Sequence, residues 1–138
     1  EPSGAGAISA MKMALDDASL TTDDIGYVNL HGTATKLNDA MESKAMASLF
    51  KGKVPCSSPK YMTGHTLGAA GIVEAAILCY LLTHDVDLPV QDFSHDEIDD
   101  TLDECGLVKE KMKAKKKVMM SNSFAFGGNN ASIIFANA

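Results

Sequence analysis

The chain has 138 residues, of which 46% are hydrophobic and 22% charged, a composition typical of one modest globular domain with its own core. The formal net charge of -6 argues against nucleic acid as the main ligand. All 12 basic residues are lysines, so the chain has no arginine with which to clamp a phosphate or carboxylate through two parallel hydrogen bonds.

The three cysteines, Cys56, Cys79 and Cys105, show no C-x-x-C spacing, which predicts neither a disulfide framework nor a zinc site. We interpret each as an inert thiol and expect a reducing, cytoplasmic environment. No signal peptide is visible at the start, and the apolar run that ends at Leu82 is too short for a membrane span. The opening EPSGAG lacks an initiator Met and reads as the middle of a longer protein.

The first half of the chain predicts a helix, a strand and a second helix. Apolar residues recur at helical spacing over residues 7–19, and residues 25–30 form a short apolar run typical of a buried strand. That strand ends at His31, in the segment HGTAT. The next helix is predicted from about Asp39 to Gly52, with Asp39 and Glu42 forming a capping box at its start.

A second strand, residues 53–57, leads to the segment KYMTGH and then to an almost wholly apolar helix over residues 67–82. A helix that is apolar on all sides is predicted to be buried. Its single charge, Glu74, then needs a partner, because an unpaired buried charge is very unfavourable. Lys60 is the nearest candidate, so we predict an ion pair between Lys60 and Glu74 that supports the turn carrying His65.

The remainder predicts an acidic excursion followed by two strands. Residues 83–106 lose periodicity and contain half of the acidic residues, and residues 109–117 contain six lysines, which form either a solvated face or a docking surface for an acidic partner. Residues 118–120 and 131–135 are predicted strands, joined as an antiparallel hairpin through SNSFAFGGNN. The order of elements predicts an α/β fold, layered around a mixed sheet.

Three glycine-flanked segments follow three predicted strands and are expected to meet at one edge of the sheet. Two histidines placed there, His31 and His65, supply N–H donors or a general base. Backbone N–H groups of residues 126–128 suit an oxyanion hole, and Thr33 and Thr35 suit hydrogen bonding to a polar ligand chain. This combination favours acyl or enolate chemistry, although none of the cysteines lies in a site-like context.

The segments YVNLHGTATKLNDAMES, SSPKYMTGHTLGAAGIVEAA and SNSFAFGGNNASIIF together resemble the C-terminal half of a β-ketoacyl-acyl carrier protein synthase, the elongating condensing enzyme of fatty acid and polyketide synthesis. The resemblance covers nearly the whole chain, and it implies that residues 1–138 are the C-terminal thiolase-like domain of such a synthase. It implies a thiolase-like fold, a layered α/β unit of which this chain is one half. It also implies that the nucleophilic cysteine belongs to the N-terminal half.

The resemblance assigns roles to individual residues. His31 and His65 match the catalytic histidines that bind the malonyl thioester carbonyl and stabilise the enolate, and Lys60 and Glu74 match the lysine and glutamate that hold them. Thr33 and Thr35 match residues that bind the phosphopantetheine arm. The acyl gate and oxyanion hole of the family fall on Phe126 and Gly127.

The resemblance also implies partners: an acyl carrier protein, the N-terminal half, and a second synthase subunit in a homodimer or a ketosynthase heterodimer. No metal or cofactor is expected beyond the carrier protein's own phosphopantetheine arm. Pro59, Ala125 and Asn129 depart from the usual family pattern, which favours a subfamily outside housekeeping fatty acid synthesis, such as one making aryl polyenes or other polyketide-like products. The alternative is a non-catalytic chain-length or scaffolding subunit that pairs with a true ketosynthase.

Overall fold

The computed structural model describes residues 2–94, 97–125 and 127–137. Within them the chain forms four α-helices and four β-strands, with 3-10 turns at Thr22–Asp24 and Leu67–Ala69. In chain order the elements are α1 (Ala5–Ala18), β1 (Tyr27–Asn29), α2 (Lys36–Phe50), β2 (Cys56–Ser57), α3 (Lys60–Thr63), α4 (Ala70–Thr83), β3 (Val118–Phe124) and β4 (Asn130–Ala136).

The strands form one mixed sheet in the order β2-β1-β3-β4. Strand β1 runs parallel to both neighbours, pairing Val28 with Cys56 on one side and with Met120 on the other. Strands β3 and β4 are antiparallel over their whole length, from Val118 opposite Ala136 to Phe124 opposite Asn130. The predicted α/β class, mixed sheet and C-terminal antiparallel hairpin are therefore confirmed.

Both faces of the sheet are covered at β1, which explains why all three of its residues are buried rather than alternately exposed. Val28 and Met120 point into a core formed with α1 and α2, which contribute Met11 and Phe50 among others. The neighbouring residues Tyr27 and Met119 point to the opposite face, where Leu78, Leu81 and Leu82 of α4 cover them. The sheet thus lies between a layer of two helices and a layer formed by α4.

Strand β3 extends four residues beyond its predicted end at Met120. The extension contains polar residues that a search for apolar runs does not recognise, yet Ser121 and Asn122 are buried and find partners across the sheet. The Asn29 amide donates to Ser121 Oγ over 3.3 Å, and the Ser132 hydroxyl donates to Asn122 Oδ1 over 2.8 Å. Hydrogen bonds of this kind make burial of polar strand residues acceptable.

Two sequence predictions about helices are wrong. Helix α4 is not buried on all sides, because Ile72 and Tyr80 are 72% and 55% exposed and Cys79 is exposed as well. Helix α2 begins at Lys36 with Thr35 as its N-cap residue, so Asp39 and Glu42 lie inside the helix and form no capping box. The carboxylate of Glu42 is engaged elsewhere, as described below.

Residues 84–117 cross the surface without helix or strand in their described part, except for an isolated bridge between Cys56 and Leu107, as the loss of periodicity predicts. The lysines of residues 109–117 are exposed; those at 115–117 directly precede β3, whereas Lys109 borders the same cavity as Gly32. Several contact their own chain: Lys113 pairs with Asp85 over 2.7 Å, and Lys117 Nζ donates to Leu81 O over 3.0 Å. No helix in the described residues is long and apolar enough to cross a membrane.

Candidate functional site

The carboxyl ends of three adjacent strands bring the glycine-flanked segments together. His31 lies just beyond β1, Lys60 just beyond β2, and Phe124 at the end of β3. The ring centroids of His31 and His65 are 5.7 Å apart with their planes at 89°, and the ring of His31 lies 6.1 Å from that of Phe124. The two histidines predicted to work together are therefore neighbours.

His65 is held in a defined orientation by the backbone that follows it. Helix α3 ends at Thr63 and is capped by Gly64, which has φ 70, and the Leu67 N–H donates to Nδ1 of His65 over 3.2 Å. Because Nδ1 is an acceptor, the proton of the neutral ring is on Nε2. His65 thus presents an N–H donor, and it does so from an exposed segment, residues 61–69.

His31 is kept neutral by its surroundings. Partial burial, followed by the positive charge of Lys60 and the proximity of His65, lowers the pKa of His31 to about 4. At neutral pH the ring therefore carries one proton and no charge. A neutral imidazole that carries one N–H suits donation of a hydrogen bond to an oxygen on which negative charge develops.

The predicted ion pair between Lys60 and Glu74 is present, and both side chains are buried, with 7% and 2% of their surfaces exposed. It joins the start of α3 to the first turns of α4, and so spans the turn that carries His65. The second carboxylate oxygen of Glu74, like Oδ1 of Asn29, is buried without a hydrogen-bond partner in the described residues. The position of the His65 turn thus depends on Lys60 as the partner of Glu74.

Glu42 is a residue of the site that sequence reasoning did not identify. Its side chain is buried on α2, and its two carboxylate oxygens accept the N–H groups of His31 and Gly32, each over 2.8 Å. Burial raises the pKa of Glu42 to about 7, although the two N–H donors partly oppose that shift. The sequence does contain an indication of this role. Glu42 occupies the same helical face as the apolar residues Ala45 and Met46, and a charged residue on a buried face requires a hydrogen-bond partner.

The remaining predicted residues flank the histidines. Thr33 and Thr35 are hydrogen-bonded to each other, with hydroxyl oxygens 3.1 Å apart, across Ala34, which has φ 59. Gly127 adopts φ 89, a conformation that favours glycine, and a Cβ added there would meet nothing within 4 Å. Phe126 lies outside the described residues, so its predicted role as acyl gate stays a prediction.

The part of the chain that the structure describes contains no group of three or more His, Cys, Asp or Glu residues that could hold a metal ion. The site is instead a pair of imidazoles, a buried ion pair and open backbone turns. It can bind and polarise a carbonyl oxygen, but these groups include no thiol or hydroxyl activated as a nucleophile.

Comparison with known proteins gives the class. The family model for the beta-ketoacyl synthase C-terminal domain matches residues 1–94. The chain is 43% identical to 3-oxoacyl-[acyl-carrier-protein] synthase 1 of Haemophilus influenzae over 136 residues, which cover 97% of this chain and 32% of that protein. It is 39% identical to the enzyme of the same name from Escherichia coli K12 over 134 residues, or 96% of this chain and 32% of the relative.

A solved structure gives the fold. The chain superimposes with a TM-score of 0.98 and 53% identity on a chain of the complex between ketosynthase ApeO and its chain length factor ApeC from Xenorhabdus doucetiae, covering 100% of this chain and 35% of that one. The predicted thiolase-like fold is thereby confirmed.

The chain belongs to the β-ketoacyl synthase C-terminal domain family. It spans about a third of the length of the curated relatives that it matches.

Proposed function

We propose that this chain is the C-terminal half of an active β-ketoacyl-acyl carrier protein synthase, which carries out a decarboxylative Claisen condensation. In this reaction an acyl group is held as a thioester on a cysteine outside the chain. Malonyl thioester loses CO₂, and the resulting enolate carbon attacks the acyl carbonyl, forming the new C–C bond and releasing the cysteine thiolate.

The observation that supports the proposal is the pair of adjacent histidines, 5.7 Å apart, at one end of the sheet. Decarboxylation places negative charge on the thioester oxygen, and N–H donors aimed at that oxygen lower the barrier. His31 is neutral at pH 7 and His65 has its free proton on Nε2, so both are suited to donate there. Lys60, Glu74 and Glu42 act as positioning residues.

The outer parts of the site fit the same reaction. Thr33 and Thr35 are proposed to bind the phosphopantetheine arm of an acyl carrier protein, and Gly127 and Phe126 to supply the backbone of the oxyanion hole and the acyl gate. No cofactor is required beyond that arm. The missing N-terminal half, a second synthase subunit and the acyl carrier protein are the proposed partners, and the cytoplasm is the proposed compartment.

The test is malonyl-carrier decarboxylation and condensation by the full-length protein and its His31→Ala and His65→Ala variants. Loss of one donor to the developing oxyanion is expected to lower the decarboxylation rate by about 10²- to 10³-fold. His84→Ala is the matched control, since His84 stacks on Tyr80 at the C-terminal end of α4, outside the site. Decarboxylation at the wild-type rate in both site variants would refute the assigned roles.

A second candidate function is a non-catalytic chain-length or scaffolding subunit. It is favoured by the similarity to a ketosynthase–chain length factor complex, at 53% identity. The two functions differ in whether the full-length protein forms a covalent acyl thioester. Incubation with an acyl-carrier substrate and intact mass measurement is expected to show an acyl adduct for a synthase and none for a scaffolding subunit.

A further inference from the structure

Two buried thiols meet at a place that the proposed reaction does not use. Cys56 lies on β2 and Cys105 on the surface-crossing segment, and they are 0% and 4% exposed. Their sulfur atoms are 3.8 Å apart, and the Cys56 thiol donates to the sulfur of Cys105 and, over 3.2 Å, to its carbonyl oxygen. Spacing along the sequence gave no indication of this pair, because 48 residues separate the two cysteines.

Backbone hydrogen bonds hold the two sulfur atoms in place. Cys56 N–H donates to Gly106 O over 3.0 Å, and Val108 N–H donates to Cys56 O over 2.9 Å. The chain that follows Cys105 therefore runs parallel to β2 and forms a β-bridge between Leu107 and Cys56. Gly106 has φ 90, and a Cβ there would approach Val54 O to 2.6 Å, which shows how closely the two backbones lie. A disulfide bond is about 2.05 Å long, so closing the pair needs a sulfur movement of only about 2 Å.

One of the two thiols borders open space. Cys105 lines a cavity of about 210 Å³ between the surface-crossing segment and α2, whereas Cys56 lies behind it. The cavity is also lined by Asp103 and Glu104, whose negative charges disfavour anionic oxidants. A small uncharged oxidant is therefore the class of reagent that suits this access route.

The two thiols are also chemically distinct. The hydrogen bond from Cys56 lowers the pKa of Cys105, while the same contact and burial raise the pKa of Cys56 well above its usual value. Because the thiolate is the reactive form of cysteine, Cys105 is the residue that attacks first. Cys56 is placed to attack the oxidised sulfur of Cys105, since the two sulfur atoms are 3.8 Å apart.

We propose that Cys56 and Cys105 form a modification site at which hydrogen peroxide converts the two thiols into an intramolecular disulfide. The Cys105 thiolate attacks one peroxide oxygen, the O–O bond breaks, and hydroxide leaves and takes up a proton to become water, which gives a sulfenic acid. The Cys56 sulfur then attacks the sulfenic sulfur, the S–O bond breaks, and a second water leaves with the Cys56 proton. Two thiols are oxidised and one peroxide is reduced to two waters.

The disulfide would tie the surface-crossing segment covalently to β2. Two residues beyond Cys56, the Ser58 hydroxyl donates to Gly32 O over 3.0 Å, so the tethered strand leads directly to the turn that carries His31. The cross-link also restricts the conformations of the unfolded chain, so oxidation is expected to raise the melting temperature of the protein.

The test is a peptide map of the full-length protein after brief exposure to hydrogen peroxide, alkylation of free thiols under denaturing conditions, and cleavage at lysine and glutamate. This cleavage places Cys56, Cys79 and Cys105 in separate peptides. The expected result is a peptide pair, residues 54–60 joined to 105–109, that separates on reduction. The melting temperature of the oxidised protein is expected to be higher than that of the reduced protein.

Cys79→Ser is the matched control, since it removes an exposed thiol and should leave the joined peptides intact. In the Cys105→Ser variant, Cys56 should be recovered as a fully alkylated thiol. Recovery of Cys105 in wild type as an alkylated thiol or a sulfinic acid, or joined to a cysteine other than Cys56, would overturn the proposal. The wild-type map decides this even if the Cys105 variant fails to fold.

Discussion

Glu42 shows how one side chain fixes the backbone of the site. Its carboxylate accepts the N–H groups of two consecutive residues, His31 and Gly32, at a turn where Gly32 has φ 41. Both N–H groups lie in a partly buried turn, where an unpaired donor would be costly. The direction in which the His31 ring points therefore depends on a residue of the following helix.

Glu42→Gln is expected to destabilise the fold by roughly 1–3 kcal/mol, because an amide offers one acceptor oxygen and leaves one buried N–H without a partner. Denaturant unfolding at pH 8 measures the change. The matched control is Glu110→Gln at an exposed position, which should stay within about 0.5 kcal/mol of wild type. Equal stability of the two variants would contradict the positioning role of Glu42.

The protonation of His31 provides a second test at this scale. Its pKa of about 4 lies below the ordinary value of 6.5 because burial disfavours the charged ring. The unfolded chain therefore takes up a proton near pH 6.5 and the folded chain only near pH 4. The stability that neutral His31 contributes is present above pH 6.5 and is lost as the pH falls from 6.5 toward 4.

NMR titration of the His31 ring is expected to give a midpoint near pH 4. Because burial is the largest cause and charge only the next, raising the salt concentration to 1 M should move that midpoint little, although it screens exposed charges strongly. A midpoint close to 6.5 would mean that the ring is far better solvated than the structure shows.

At the scale of elements, α4 is a helix with two apolar faces. One face, with Leu78 and Leu81, packs on the sheet, while the other presents Ile72 and Tyr80 to solvent. Exposed apolar side chains gathered on one helix face indicate a surface that another polypeptide covers. Burying each such side chain is worth about 1.5–3 kcal/mol, so covering this face would favour association.

We expect the 138-residue chain by itself to self-associate, and the double variant Ile72→Glu with Tyr80→Glu to be more monomeric at unchanged stability. Sedimentation equilibrium and thermal unfolding measure both properties. Leu78→Glu is the contrasting control, because Leu78 is 0% exposed and a charge there should unfold the chain. A monomeric wild-type chain would show that the outer face of α4 does not mediate self-association.

At the scale of the whole molecule, patterns with a local cause were readable from the sequence. Periodicity indicated α1 and α2, apolar runs indicated α4 and the central strand at Val28, and the glycines marked the turns at the sheet edge; the short helix α3 was not predicted. The requirement that a buried charge be paired predicted the contact between Lys60 and Glu74, 14 residues apart. Each of these inferences uses information within a short stretch of chain.

Features that depend on distant segments were not readable in this way. The burial of Ser121 depends on Asn29, and the encounter of Cys56 with Cys105 depends on the path of a segment without periodicity. The two faces of α4 look alike in sequence, since both are apolar, and only the position of the sheet decides which one is covered. The roles of Thr33, Thr35, Phe126 and Gly127 remain predictions from resemblance.

The three-residue strand β1 has a consequence for the order in which the molecule is made. Its pairing partners on β3 lie far along the chain, as the contact between Asn29 and Ser121 across 92 positions shows. Pairing over such distances is slow and waits for the later segment, whereas the β3–β4 hairpin can form from neighbouring residues. During synthesis His31 and His65 therefore leave the ribosome well before the strand that completes the sheet beneath them, and until then the apolar face of β1 depends on α1 and α2 for cover.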